Sequence, residues 1–263
     1  MSPYQRRIVD GLLDELFPDL AAIALEGAKG VGKTATASQR AVTTMSLDRP
    51  GQREVLGADL DYITQVPRPV LLDEWQLEPA LWDRVRRAVD ADGSGGQFLL
   101  TGSAGVPPGV RIHSGAGRIV SLTMRPLSLA ERGIAEPTVS LAELLSGQHP
   151  TIGGHSTVDL SAYTDEILGS GFPGIKDLPP RARQFQLDSY LSRIVEKELP
   201  ENGVTVRRPE TLRSWLAAYG AATATDAAYS TILDAATAGE VDKPARATVE
   251  GYREHLTRIF VLD

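Results

Sequence analysis

The chain is expected to fold as an α/β protein, a parallel sheet covered on both faces by helices, and three observations carry that expectation. Short apolar runs at about 20–26, 41–47, 69–73, 97–103 and 118–124 read as strands. Helical segments separate them; the clearest places Leu81, Trp82, Val85, Ala88 and Val89 on one face and Asp83, Arg84, Arg86 and Arg87 on the other. Glycine, hydroxyl and carboxylate residues then follow the first, third and fourth runs, where such sheets hold their ligands.

Taken in order, residues 3–17 carry Ile8, Leu12, Leu13 and Leu16 at helical spacing, a helix to pack beside the first strand. The run Leu20-Ala21-Ala22-Ile23-Ala24-Leu25 leads into Gly27-Ala28-Lys29-Gly30-Val31-Gly32-Lys33-Thr34, a complete GxxxxGKT phosphate-binding loop ahead of a helix-permissive stretch. Its glycines let backbone N–H groups curl around phosphate oxygens. Lys33 is spaced to reach β- and γ-phosphates and Thr34 to ligate Mg²⁺, so ATP and Mg²⁺ are the expected ligands. A bare glycine turn is the competing reading, and the strand before and helix after argue against it.

Pro69-Val70-Leu71-Leu72-Asp73-Glu74 is a buried-strand pattern ending in adjacent carboxylates and reads as a Walker B strand. Asp73 would hold the metal shell, and Glu74 would polarise a water in line with the γ-phosphate. Gln97-Phe98-Leu99-Leu100-Thr101-Gly102-Ser103 is a further apolar strand with a hydroxyl end. In P-loop ATPases with a catalytic Glu beside the Walker Asp, such a strand lies between the Walker strands and ends in a polar sensor, a part that Ser103 or Thr101 fits. A Thr-Gly-Ser turn leaving a core strand is the plainer alternative.

No other catalytic constellation competes. Thr101-Gly102-Ser103-Ala104-Gly105 lacks the first glycine of a nucleophile elbow. His113 and Ser114 are adjacent on a loop, which does not make a base–nucleophile pair. His149 and His155 sit six apart without a carboxylate or thiolate cluster, and the remaining carboxylates have the spacing of solvated faces.

The order of these segments resembles the bacterial and archaeal AAA-family ATPases whose P-loop domain precedes a C-terminal domain of unknown function. The residues that carry the likeness are Tyr4 to Leu13, the loop, Ser46-Leu47-Asp48, Leu71-Leu72-Asp73-Glu74-Trp75-Gln76, Leu99 to Ser103, Gly117-Arg118, Arg125-Pro126-Leu127-Ser128-Leu129-Ala130-Glu131 and Gly169-Ser170-Gly171-Phe172-Pro173. The resemblance implies ATP hydrolysis and a homo-oligomer in which Arg118 reaches a neighbouring subunit's γ-phosphate. An arginine paired with a surface carboxylate is the equal alternative. The chain departs from the family at Ala28-Lys29, where Pro-Arg is common, and at Trp75, where an aliphatic residue is usual. Neither removes a phosphate or metal ligand. Family members usually continue well beyond Asp263, so the family's C-terminal domain is expected to be missing here, the chain being either a piece of a longer protein or a short family member.

With 263 residues the chain has room for one P-loop core and a smaller appendage. The absence of cysteine excludes disulfides and thiolate metal sites. No apolar run has the length of a membrane span and no signal-peptide core follows Met1, so the expected location is cytoplasmic. A net charge of −7 argues against a protein that coats nucleic acid.

Three parts are expected: an ATPase core over 1–135, a linker and helical segment over 136–200, and a winged-helix-like domain over 201–263. The stretch 135–180 is rich in Gly, Pro, Ser and Thr and reads as linker or exposed insertion. Residues 181–199 return to helix; helices at about 209–220, 225–238 and 245–258 follow, then a strand over Ile259-Phe260-Val261-Leu262. In 242–258, Lys243, Arg246, Arg253 and Arg258 stand against Asp242, Glu250 and Glu254, too even a balance to favour DNA over a packing role. Two functions stay open: a Mg²⁺-dependent ATPase, and a nucleotide-gated switch or DNA-associated regulator with slow hydrolysis. A nucleotide kinase is the weaker third, because Glu74 and the Ser103 strand suit water attack.

Overall fold

The structure is a computed structural model that describes residues 4–103, 109–134, 139–153, 155–239 and 243–262. Met1-Ser2-Pro3, Ala104, Gly105, Ala135, Gly154, Asp242, Asp263 and the side chain of Arg246 lie outside the described residues.

Strands β1 (Ala22–Glu26), β2 (Thr43–Ser46), β3 (Val70–Asp73), β4 (Phe98–Gly102) and β5 (Ile119–Thr123) form one parallel sheet in the order β2-β3-β4-β1-β5. Each lies within two residues of its expected bounds. Period-two alternation divides the apolar residues between the faces. Ile23, Leu25, Leu71 and Leu99 meet Leu13 and Phe17 at helix α1 (Ile8–Leu16) and Ala37 of α2 (Lys33–Ser38). Ala22, Ala24, Val70, Leu72, Phe98 and Leu100 meet Leu56 of α3 (Pro50–Ala58) and Leu81, Trp82, Val85 and Ala88 of α4 (Ala80–Ala91). This is the α/β P-loop fold, with both faces sealed and ligand chemistry confined to the strand ends.

Burial of an arginine fixes how α1 meets the phosphate loop. Arg7 is 6% exposed; its guanidinium donates to the carbonyls of Val31 and Arg125, each at 2.7 Å, and to Glu131 at 2.9 Å. Glu131 also accepts the backbone N–H groups of Ile8 and Ser128, so the pair is fully hydrogen-bonded, the condition under which a buried charge is tolerated. Beside it Asp10 accepts from Tyr4, Arg40 and the Arg7 N–H, tying α1 to the turn that follows α2.

The stretch expected as linker contains two short helices, α5 (Leu141–Leu145) and α6 (Leu160–Gly169). Each starts at a side-chain cap, Ser140 or Asp159, a local signal that the Gly/Pro-rich composition obscures. Helix α7 (Pro180–Arg193) runs through a π-helical turn, Ile194–Glu198, into α8 (Leu199–Glu201). Helices α9 (Pro209–Ala221), α10 (Tyr229–Ala236) and α11 (Arg246–Arg258) follow, and Ile194, Val195, Leu199, Leu212, Trp215, Ile232 and Leu256 share a second core.

The strand expected over 259–262 is a helix cap instead. Phe260 takes φ 60°, and the N–H groups of Val261 and Leu262 turn back to the Leu256 carbonyl, which closes α11. The left-handed conformation is unusual for a large residue. Here the Phe260 ring packs against the cluster of Ala28, Val31 and Met124 beneath the phosphate loop, a burial that compensates. The apolar run reads as a strand because periodicity cannot separate it from a buried turn. Among the described residues no helix is long and apolar enough to cross a membrane.

Candidate nucleotide-binding site

The loop of residues 27–34 leaves β1 and enters α2 through Gly32, whose φ of 102° is left-handed. Gly27 is required for a steric reason: a Cβ there would lie 2.2 Å from the Met124 carbonyl oxygen, which follows β5. The neighbouring strand is thereby drawn against the start of the loop. Lys33 is buried, and its ammonium donates to the carbonyls of Gly27 at 2.7 Å and Ala28 at 2.9 Å, spanning the concave side of the loop. Burial pulls its pKa down to about 8, against the opposing pull of the Glu74 and Asp73 carboxylates.

Asp73 ends β3 and is buried. Its Oδ1 accepts the Thr34 hydroxyl at 2.6 Å and the Thr101 hydroxyl at 2.5 Å, so one oxygen joins the ends of β3 and β4 to the loop. Glu74 follows in the left-handed region, φ 57°, an uncommon conformation for a non-glycine residue that turns it away from the strand direction. Its Oε2 accepts the Gln76 amide. Gly102 admits this turn, since a Cβ there would lie 2.8 Å from Gln76 Oε1 and 3.0 Å from Trp75 Nε1. Trp75 in turn stacks on Trp82 of α4, ring centroids 4.5 Å apart. These contacts hold Glu74 from below.

Ser103 is buried beyond the end of β4, and among the described residues no hydrogen bond is formed by its side chain. Lys33, Thr34, Asp73, Glu74, Thr101 and Ser103 thus gather at the C-terminal ends of β1, β3 and β4. Arg118 does not join them. It precedes β5, so it lies at the N-terminal ends of the parallel strands, the opposite end of the sheet from the site, half-exposed, with Nε donating to Asp90 of α4 at 2.8 Å.

The donor set suits a nucleotide with a hard divalent cation. Thr34 Oγ1 and Asp73 Oδ1 are oxygen donors already within one hydrogen bond of each other, and Mg²⁺ takes one or two protein oxygens alongside phosphate. Residues 20–132 match the family model of the AAA domain. This segment is an AAA-family P-loop domain. Its β4 lies between the two Walker strands, as the likeness to ATPases with a catalytic Glu beside the Walker Asp implies. No curated protein matches the chain.

Three contacts to this AAA domain have no signal in the sequence. Arg7 and Glu131 are 124 positions apart, and neither stands in a motif that marks an ion pair. From the helices that follow, Glu198 accepts the Lys29 ammonium at 2.7 Å, and the Tyr190 hydroxyl donates to the Lys29 carbonyl at 3.1 Å. Both join residues more than 160 positions apart, which only the folded chain brings together.

Proposed function

We propose that the chain is a Mg²⁺-dependent ATPase acting by water attack on the γ-phosphate. The observation that supports it best is the Thr34–Asp73 bond, which puts the two candidate metal ligands together although they are 39 positions apart. Loop amides bind the phosphates, and Lys33 exchanges its loop carbonyls for β- and γ-phosphate oxygens. Thr34 and Asp73 would hold Mg²⁺, which supplies neutralisation of the charge that builds on the phosphate oxygens. Glu74, held by Gln76, accepts a hydrogen bond from the attacking water and aligns it. Thr101 is committed to Asp73, which leaves the Ser103 hydroxyl to read the γ-phosphate.

Arg118 serves in this proposal as a cation offered to a neighbouring copy. About 15 Å of strand separates it from its own loop, beyond the reach of its side chain. The experiment that tests the reading is calorimetry of Mg-ATP with Lys33→Ala. The variant retains native circular dichroism and loses affinity roughly 10- to 100-fold or more. Unchanged affinity in a folded variant rejects the assignment.

A further inference from the structure

A second ammonium stands on the phosphate loop two positions after Gly27. Lys29 is half-exposed, yet the helices that follow the AAA domain hold it at two points. Glu198, the last residue of the π-helical turn, takes its ammonium at 2.7 Å, and Tyr190 takes its carbonyl at 3.1 Å. The Tyr190 ring lies 4.9 Å from that of Phe172, which in turn reaches within 3.8 Å of the Cβ position of Gly30. π-Helical turns are rare and concentrate at functional sites.

The same ammonium is within the electrostatic field of the chemistry. Burial lowers its proton affinity, but the Glu198 bond and charge, with Glu74 and Glu201 behind them, leave it raised; Lys29 in turn works against the charge on Lys33. Lys29 is thus a residue of the loop that would cradle the phosphates, with its ammonium already held by a carboxylate of the helical unit.

We infer that Lys29 is a shared cation for which Glu198 and the γ-phosphate compete, so that triphosphate loosens the helical unit from the loop and hydrolysis lets it re-form. This rests on the ATPase reading above. No covalent bond is made or broken in the exchange. A γ-phosphate carries more charge than one carboxylate and takes the ammonium, whereas ADP has nothing at that position and leaves the pair intact. By reciprocity, the factor by which triphosphate weakens the Lys29–Glu198 pair is the factor by which that pair weakens triphosphate binding. The pair is partly solvated, which keeps the factor small.

The test compares Mg-ATP and Mg-ADP affinities by calorimetry in the full chain, Glu198→Gln, Lys29→Met and the double variant. Glu198→Gln is expected to raise the ATP-over-ADP preference about fivefold. Lys29→Met lowers that preference and makes Glu198→Gln silent on top of it. The chain has no cysteine, so Gln39→Cys with Asp226→Cys, both exposed, accepts a fluorophore pair. The distance between them should change with a non-hydrolysable ATP analogue, stay fixed with ADP, and respond to neither in Lys29→Met. Equal effects of Glu198→Gln on ATP and ADP, or an effect that survives Lys29→Met, overturn the shared-cation inference alone. Wild-type protein that binds no Mg-ATP overturns it together with the ATPase reading.

Discussion

Thr101 donates its hydroxyl to Asp73 Oδ1, the same oxygen that accepts from Thr34 of the phosphate loop. The consequence is a fixed carboxylate: Thr101 is 1% exposed and holds Asp73 from the strand side whether or not Thr34 turns toward a metal. Outer partners of this kind orient metal ligands and raise their affinity.

Thr101→Val keeps the volume and removes the donor. The Mg²⁺ concentration giving half-maximal turnover should rise roughly 10-fold or more, with saturating ATP. A variant with lower stability and an unchanged Mg²⁺ midpoint would show that Thr101 supports the fold alone.

Glu74→Gln preserves size and hydrogen bonding and removes the charge that aligns water. ATP should bind as in the parent while turnover falls by ~10²-fold or more. Turnover at the parent rate makes Glu74 a bystander and favours the slow-hydrolysis switch.

The Arg7–Glu131 pair gives a pH dependence whose sign follows from its partners. Burial pushes the Glu131 carboxyl up, but the N–H groups of Ile8 and Ser128 and the Arg7 guanidinium outweigh it and hold the group below its ordinary value of 4.5. A depressed carboxylate contributes stability fully above that ordinary value, and the contribution is lost as pH falls through the lowered one. Glu131→Gln strands a buried cation and should cost about 3 kcal/mol at pH 7. The difference from wild type should shrink progressively below pH ~4 in urea unfolding. A constant difference across that range would mean that Glu131 contributes by packing, not charge.

Arg118 tests assembly. If it acts on a neighbour, specific activity rises with protein concentration, and Arg118→Ala mixed with Glu74→Gln recovers activity, because some hybrid interfaces pair an intact Arg118 with an intact Glu74. Its ion pair with Asp90 is partly exposed and inexpensive to break, so the pairing is no obstacle to that role. Concentration-independent turnover by a monomer rules it out.

What the sequence by itself determined is local or periodic. The strands were legible because each alternates or runs apolar between turn signals, and the loop because GxxxxGKT packs its phosphate chemistry into eight consecutive residues. Asp73 and Glu74 were legible as the polar end of a buried run. Tertiary structure alone decided the rest. That Thr101 binds Asp73 depends on β4 being inserted beside β3, a contact between positions 28 apart with no local trace. Residues 259–262 had the composition of a strand, but they close α11 as a cap because, among the described residues, no strand pairs with them and the Phe260 ring finds its burial under the loop. Arg7 with Glu131, and Lys29 with Glu198, are ordinary surface charges in sequence. They become a buried clamp and a contact between the loop and the later helices only when the fold removes them from water or sets them opposite one another, since a charge's partner is chosen by distance in space rather than along the chain.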